Sequence, residues 1–256
     1  MTSSSRVQVI DRSIDILEAL SDAPKPLTEV CRETGLSKGT AFRLLAGLAE
    51  RGIVLKDPTS ATYMLGPGLL RLVQGALSGI SSIAVLGHGT LTELARTSGE
   101  TAALHVQSGI DRVCVDEAPS PQPLRYTSGV GAVMPVNYGA AGKVLLAFAP
   151  EEETRRSVAL LESAHDVDGQ RLKRALTQVR RDGYGLSRGE RVEGASAISI
   201  PVRAGMLAFS LSLLGPTTRL PKEHLLELLK PMRAAADSLE SLFTETQSGA
   251  DGEVVH

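Results

Sequence analysis

The chain predicts an α+β fold in three successive parts: an N-terminal winged helix-turn-helix domain, a linker helix and a C-terminal α+β domain. Three observations predict it. Helical periodicity fills most of residues 7–52 in three short segments, the period switches to that of strands over 53–65, and beyond Gly99 strands and helices come in groups rather than in strict alternation.

In the first helix, Val9, Ile10, Ile14, Ile16, Leu17 and Leu20 trace one stripe between Val7 and Leu20, which the prolines of "SDAPKP" end. Leu27 to Thr34 predicts the second helix, with Leu27, Val30 and Cys31 inward and Gly35 as its stop. The third is "GLSKGTAFRLLAGLAERG": Ser37 is a helix cap, Ala41, Leu44, Leu45 and Leu48 form the buried stripe, and Gly52 closes it. Only "GLS" separates helices two and three, and so short a turn holds them at a steep angle. "IVLKDPTSATYMLG" then predicts a hairpin turning at Asp57 to Ser60, a wing.

Gly66-Pro67-Gly68 punctuates the chain, giving a first domain over 1–67 and a linker helix over 68–80. Small residues around Ser78 to Ser82 predict an interruption, and a second domain follows over 81–246. In it, "ETAALHVQSG", "DRVCVDEA" and "PLRYTSG" predict three strands, and "GAAGKVLLAF" a short buried helix. Residues 151–161 and 169–182 predict charged amphipathic helices, and "GASAISIPVRAGMLAFSLSLLG" a hairpin turning at Ala204-Gly205. A last helix runs from Pro221 to about Phe243, and 247–256 are expected to be a disordered tail.

The 256 residues are 42% apolar with a net charge of -2, enough for two ordinary cores. No segment has the apolar length of a membrane span or the centre of a signal peptide, so no membrane partner is expected and the cytoplasm is the expected location. Cys31 and Cys114 lack paired spacing and are expected as buried thiols. The acidic average hides a basic patch: over 36–56, Lys38, Arg43, Arg51 and Lys56 oppose only Glu50. That patch permits moderate, salt-dependent binding to phosphates.

On the third helix, Lys38, Thr40 and Arg43 are the candidates to meet base edges, since a helix-turn-helix places the N-terminal half of its second helix in the major groove. Ser37 and the amides at the capped start are candidates for a phosphate, and Arg12, Arg51 and Lys56 for the DNA backbone. The competing enzymatic reading is a small-molecule serine hydrolase at "GLSRG", with Ser187 as nucleophile. Its surroundings are wrong for that motif, which needs an apolar strand before the serine and a helix after it. "NYGAAGKV" has Val144 where a phosphate loop needs a hydroxyl, and His88, His105 and His165 have no second ligand at metal spacing, so no cofactor and no metal are expected.

"LSKGTAFRLLAGLAERG" followed by "YMLG", then "PVNYGAAGKVLLA", "GYGLSRGERVEGASAISIPV" and "SLSLLGPTTRL", in this order, resemble the IclR family of bacterial transcriptional regulators over residues 7 to about 243. The resemblance implies a protein without enzymatic activity that reads double-stranded operator DNA as a dimer or tetramer. It also implies a GAF-like C-terminal domain that binds a small organic effector. By the same resemblance, the backbone amides of Ala140 and Ala141 meet the effector's carboxylate, and Tyr126, Ser187, Ala197, Ser212 and Leu214 complete the cup. This chain departs from the family pattern at three of these positions. An acid is usual at Ser187, a cysteine frequent at Ala197, and the second of two paired serines is Leu214. These changes predict an effector less polar than a small keto acid, such as an aromatic or longer-chain acid, ester or amide. The linker near Leu69 to Leu77 is the expected lever, with give at Gly79 and Ser81-Ser82.

Overall fold

The computed structural model describes residues 8–165, 167–204 and 207–250, which divide into two compact units, Met1–Ser78 and Gly79–His256. Val7, Gly205 of the expected hairpin turn and residues 251–256 of the expected tail lie outside the described residues, as do the side chains of 73–86, which include the C-terminal part of the expected lever.

In the first unit, α1 (Gln8–Ala19), α2 (Leu27–Thr34) and α3 (Lys38–Glu50) surround a core of Ile16, Leu20, Val30 and Leu45. Gly35 ends α2 in the left-handed conformation at φ 68, and Ser37 caps α3 by accepting a bond from the Thr40 amide at 3.3 Å. The wing is larger than expected. Its hairpin of β2 (Val54–Lys56) and β3 (Thr62–Leu65) gains β1 (Lys25–Pro26), giving the antiparallel order β1-β3-β2. Val54 and Tyr63 extend the core from the wing. Asp57 shapes the turn, accepting from the Thr59 amide at 2.8 Å and the Ser60 hydroxyl at 2.6 Å, and these bonds hold its carboxyl below the usual range.

Helix α4 (Gly68–Ser98) runs unbroken for 31 residues, correcting the expected interruption at Ser78 to Ser82. Each small residue weakens a helix by no more than about 1 kcal/mol, and the stretch contains no proline to remove a hydrogen bond.

The second unit is built on a six-stranded antiparallel sheet of β4 (Thr101–Ser108), β5 (Asp111–Ala118), β6 (Val133–Pro135), β7 (Gly185–Arg188), β8 (Ala195–Ala204) and β9 (Leu207–Pro216). The order is β6-β5-β4-β9-β8-β7. On one face Leu104, Ile198, Ile200, Val202, Phe209, Leu211 and Leu213 pack with Leu91 and Leu94 of α4. The same core includes Leu225 of α8 (Lys222–Glu227) and Met232 and Leu239 of α9 (Leu229–Ala250). The opposite face meets α5 (Gly139–Phe148), which in turn packs through Val144, Leu145 and Leu146 on α6 (Glu151–His165) and α7 (Gly169–Asp182).

Four expectations are corrected. "PLRYTSG" is a loop, and the third strand is Val133–Pro135 instead; Leu124 and Arg125 alternate with nothing that could bury them. The last helix is two helices meeting at Leu228, because Pro231 has no amide to bond the carbonyl of Glu227. Its second part reaches Ala250, into the expected tail. Cys114 is buried but Cys31 is only half-buried, and both are free thiols. Among the described residues no helix is long and apolar enough to cross a membrane.

Candidate DNA interface and ligand cup

Helix α3 turns Ala41 and Leu45 fully inward and leaves Lys38, Gly39, Phe42, Arg43, Ala46 and Gly47 exposed. Lys38 and Arg43 both stand on this arc, and neither is paired with a carboxylate among the described residues. At about 100° per residue Arg43 lies roughly 140° around the helix from Lys38, and Thr40 lies about 60° beyond Arg43, at the edge of this arc. Thr40 is half-buried on the shoulder, and its hydroxyl stands 2.9 Å from that of Ser37. Thr40 therefore completes the cap together with Ser37.

Sequence reasoning missed Phe42, an aromatic side chain 52% exposed between the two cations. Gly39 and Gly47 lie on the same exposed arc, and a methyl group at either would meet nothing within 4 Å. Helical glycines with no internal reason leave a low surface that another molecule's backbone can approach. Arg12 is half-buried on α1, and Lys56 on the wing lies over the Tyr63 ring at 5.6 Å.

In the second unit all seven sequence-derived cup residues, Tyr126, Ala140, Ala141, Ser187, Ala197, Ser212 and Leu214, line one cavity. Strand alternation explains how. Ala197 and Ser199 on β8 and Ser212 and Leu214 on β9 point away from the apolar core, and Ser187 on β7 pairs with Ala197. Helix α5 lies across them, set close by bare glycines. Gly139 has φ 75, and a Cβ on Gly142 would stand 1.9 Å from the Val136 carbonyl oxygen. The Ser199 and Ser212 hydroxyls bond each other at 2.7 Å.

The sequence missed the charged part of the cavity: His105 on β4, Arg112 on β5, and Glu190 and Arg191 in the β7–β8 loop. Glu190 caps α5, one oxygen accepting the Gly139 amide at 3.1 Å while the other pairs with the Lys143 ammonium. Arg112 is buried, with its guanidinium donating to the Pro135 carbonyl at 2.9 Å and to the Tyr138 carbonyl. Burial first, and then Arg191, lowers its pKa to about 10, which leaves it charged at neutral pH. Burial, aided by Arg112 and Arg191, pushes His105 down to about 3, so its imidazole is neutral. The cup is thus more polar than its three departures from the family pattern predict. Ser187 sits in an edge strand followed by a turn, with no helix to complete a nucleophile elbow. No cluster of three metal-binding side chains occurs among the described residues.

Residues 9–58 match the family model described as the IclR helix-turn-helix domain, and residues 76–241 match that of the bacterial transcriptional regulator IclR C-terminal domain. A transcriptional regulator of Mycobacterium tuberculosis is 32% identical over 208 residues, 79% of either chain. The crystal structure of a regulator from Alicyclobacillus acidocaldarius superimposes with a TM-score of 0.71 at 28% identity, covering 93% of this chain and 99% of that one. A homologue from Microbacterium hydrocarbonoxydans, crystallised with 4-hydroxybenzoate, shares the fold with a TM-score of 0.73 at 19% identity, covering 93% and 99%.

Proposed function

The chain belongs to the IclR family of bacterial transcriptional regulators, and on that premise we propose that it reads an operator as a dimer or a dimer of dimers under the control of a compact acid-type effector. It is a DNA-binding transcriptional regulator and not an enzyme. On the DNA side, Lys38 and Arg43 carry the reading, with Arg43 reaching a guanine edge or a phosphate, and Ser37, Thr40 and the first amides of α3 hold the cap against the backbone. Arg12 and Lys56 add phosphate contacts.

One observation carries the effector reading: the first amide of α5 already donates to a carboxylate, that of Glu190. The start of a helix has amides without internal acceptors and the positive end of the dipole, so it favours an anion. An effector carboxylate takes this position beside the Ala140 and Ala141 amides. It displaces Glu190 and thereby releases Lys143 and the loop that carries Arg191. The body of the ligand, aromatic or moderately apolar, rests against Ala197 and Leu214, with Tyr126, Ser187 and Ser212 at its edges. The homologue crystallised with 4-hydroxybenzoate supports an aromatic acid as one such ligand. Ligand preference for one dimer geometry by tenfold shifts the balance by about 1.4 kcal/mol, enough to alter operator occupancy. The long α4, which begins in one unit and ends in the other, is the lever for it.

Mobility-shift titration on the DNA upstream of the gene tests the DNA half. Arg43→Ala is expected to weaken binding by about 1 to 3 kcal/mol, and unchanged affinity overturns the assignment. Sedimentation of the free and DNA-bound protein tests the assembly, and a monomer on DNA overturns the dimer.

A further inference from the structure

Directly beneath the first turn of α5 lies a buried charge that has no direct ion-pair partner among the described residues. Arg112 is 4% exposed, and a Cβ on Gly139 or Gly142 would stand 3.5 Å or 2.8 Å from its terminal nitrogens. Two of its donors are taken by the Pro135 and Tyr138 carbonyls and a third faces the Met134 sulfur at 3.8 Å. Its Nε has no partner, and among the described residues no carboxylate forms an ion pair with it. Carbonyls satisfy donors but leave a buried cation without a direct ion pair, an arrangement that costs stability unless an anion joins it. Glu190, the one acid lining this cavity, attracts Arg112 only across space and pairs directly with Lys143.

Next to this cation on the same sheet face stands His105, 2% exposed, with neither ring nitrogen partnered. Burial and the nearby guanidiniums keep the imidazole neutral, so it offers one N–H and one bare nitrogen. A neutral donor and acceptor in a buried wall fits an uncharged oxygen of a ligand, and rejects an analogue that lacks it by leaving its own nitrogens unpaired.

We propose that Arg112 and His105 determine the specificity of the cup: Arg112 is the countercharge for the effector's anionic group, and His105 hydrogen-bonds a second oxygen, hydroxyl or carbonyl, on the same molecule. The effector is then an oxygenated carboxylic acid, and a plain acid, ester or amide is disfavoured. This rests on the effector-cup reading above, whose carboxylate position it refines.

Calorimetry of the full chain with two matched sets tests it: lactate, propionate and methyl lactate, and 4-hydroxybenzoate, benzoate and methyl 4-hydroxybenzoate. In at least one set the hydroxy acid binds at least about tenfold more tightly than both its deoxygenated and its esterified counterparts. Arg112→Gln abolishes the preference for acid over ester while Arg112→Lys, which keeps the charge, retains it. His105→Phe abolishes only the preference for the hydroxyl, and His105→Gln, which still donates and accepts, keeps it. Equal binding of acid and ester by the wild type overturns the role of Arg112, and equal binding of hydroxylated and plain acids overturns that of His105. If none of the six compounds binds at millimolar concentration, the effector-cup reading itself falls and this inference falls with it.

Discussion

On β9, Phe209, Leu211 and Leu213 face the helices α4, α8 and α9, whereas the intervening Ser212 and Leu214 line the cup. The two faces share a backbone and a ladder of hydrogen bonds, yet differ in every other respect. The helix-covered face is filled with apolar side chains that pack on one another and on the helices. The cup face holds small, hydroxylated and charged residues, and several of their polar atoms, in His105, Arg112 and Ser210, have no partner. A face that is complete serves stability, and one that is incomplete serves binding. Alternation along a strand lets one segment do both.

Truncation should separate the faces most strongly at Leu211, which is fully buried: Leu211→Ala is expected to lower the unfolding free energy of the protein by about 2 to 5 kcal/mol in denaturant titration. A loss below about 1 kcal/mol would mean that this face is not the core. Its neighbour Ser212 makes one hydroxyl bond, to Ser199. Ser212→Ala should cost about 1 to 3 kcal/mol by stranding that partner, and Ser199→Ala made together with it should recover most of the loss.

Acid sharpens the comparison through His105. Its folded-state pKa of about 3 lies below the usual value near 6.5, so the unfolded chain takes up the proton first. Stability is complete above the unfolded value and falls as pH drops from there toward 3, by about 1.4 kcal/mol per unit. His105→Phe should remove that part of the acid sensitivity, measured as the difference in unfolding free energy between pH 7 and pH 5. In NMR, ring resonances of wild-type His105 that titrate between pH 5 and 8 would contradict the burial argument. The smallest effect is expected at Glu190: Glu190→Gln weakens the resident competitor at α5 and tightens binding of an acid ligand by about 1 kcal/mol or less, with little change in stability. Weaker acid binding in this variant would show that Glu190 assists the ligand instead of competing with it.

Much of the first unit was legible in the sequence. The bounds of α2 and α3 follow from Gly35, Ser37 and Gly52, because caps and stops are local chemistry decided within a few residues. The burial of Thr40 on the shoulder was not legible, because helical angles put it nearer to Arg43 than Lys38 is and only its neighbours in space cover it. β1 was not: two residues have no periodicity, and Lys25 and Pro26 become a strand only because β3 passes beside them. In the second unit the alternating "SAISIPV" and "FSLSLLG" announced the hairpin, and the resemblance to a family supplied the cup.

Its charged floor could not be read that way. Arg112, Cys114, Asp116 and Ala118 alternate evenly and are all buried, which by periodicity puts them on one face. A register shift at Leu104/His105 divides them, so that Ala118 joins the core under the helices while Cys114 packs on the opposite side. The sequence by itself determined the element types, their caps and which strands have an apolar side, since each depends on neighbours along the chain. Only the tertiary structure decided that Arg112, His105 and Glu190 meet around the start of α5, and that the guanidinium has no direct ion pair among the described residues. Those facts depend on strand order, register and burial, and a charge counts as unpaired only once everything around it in space is known.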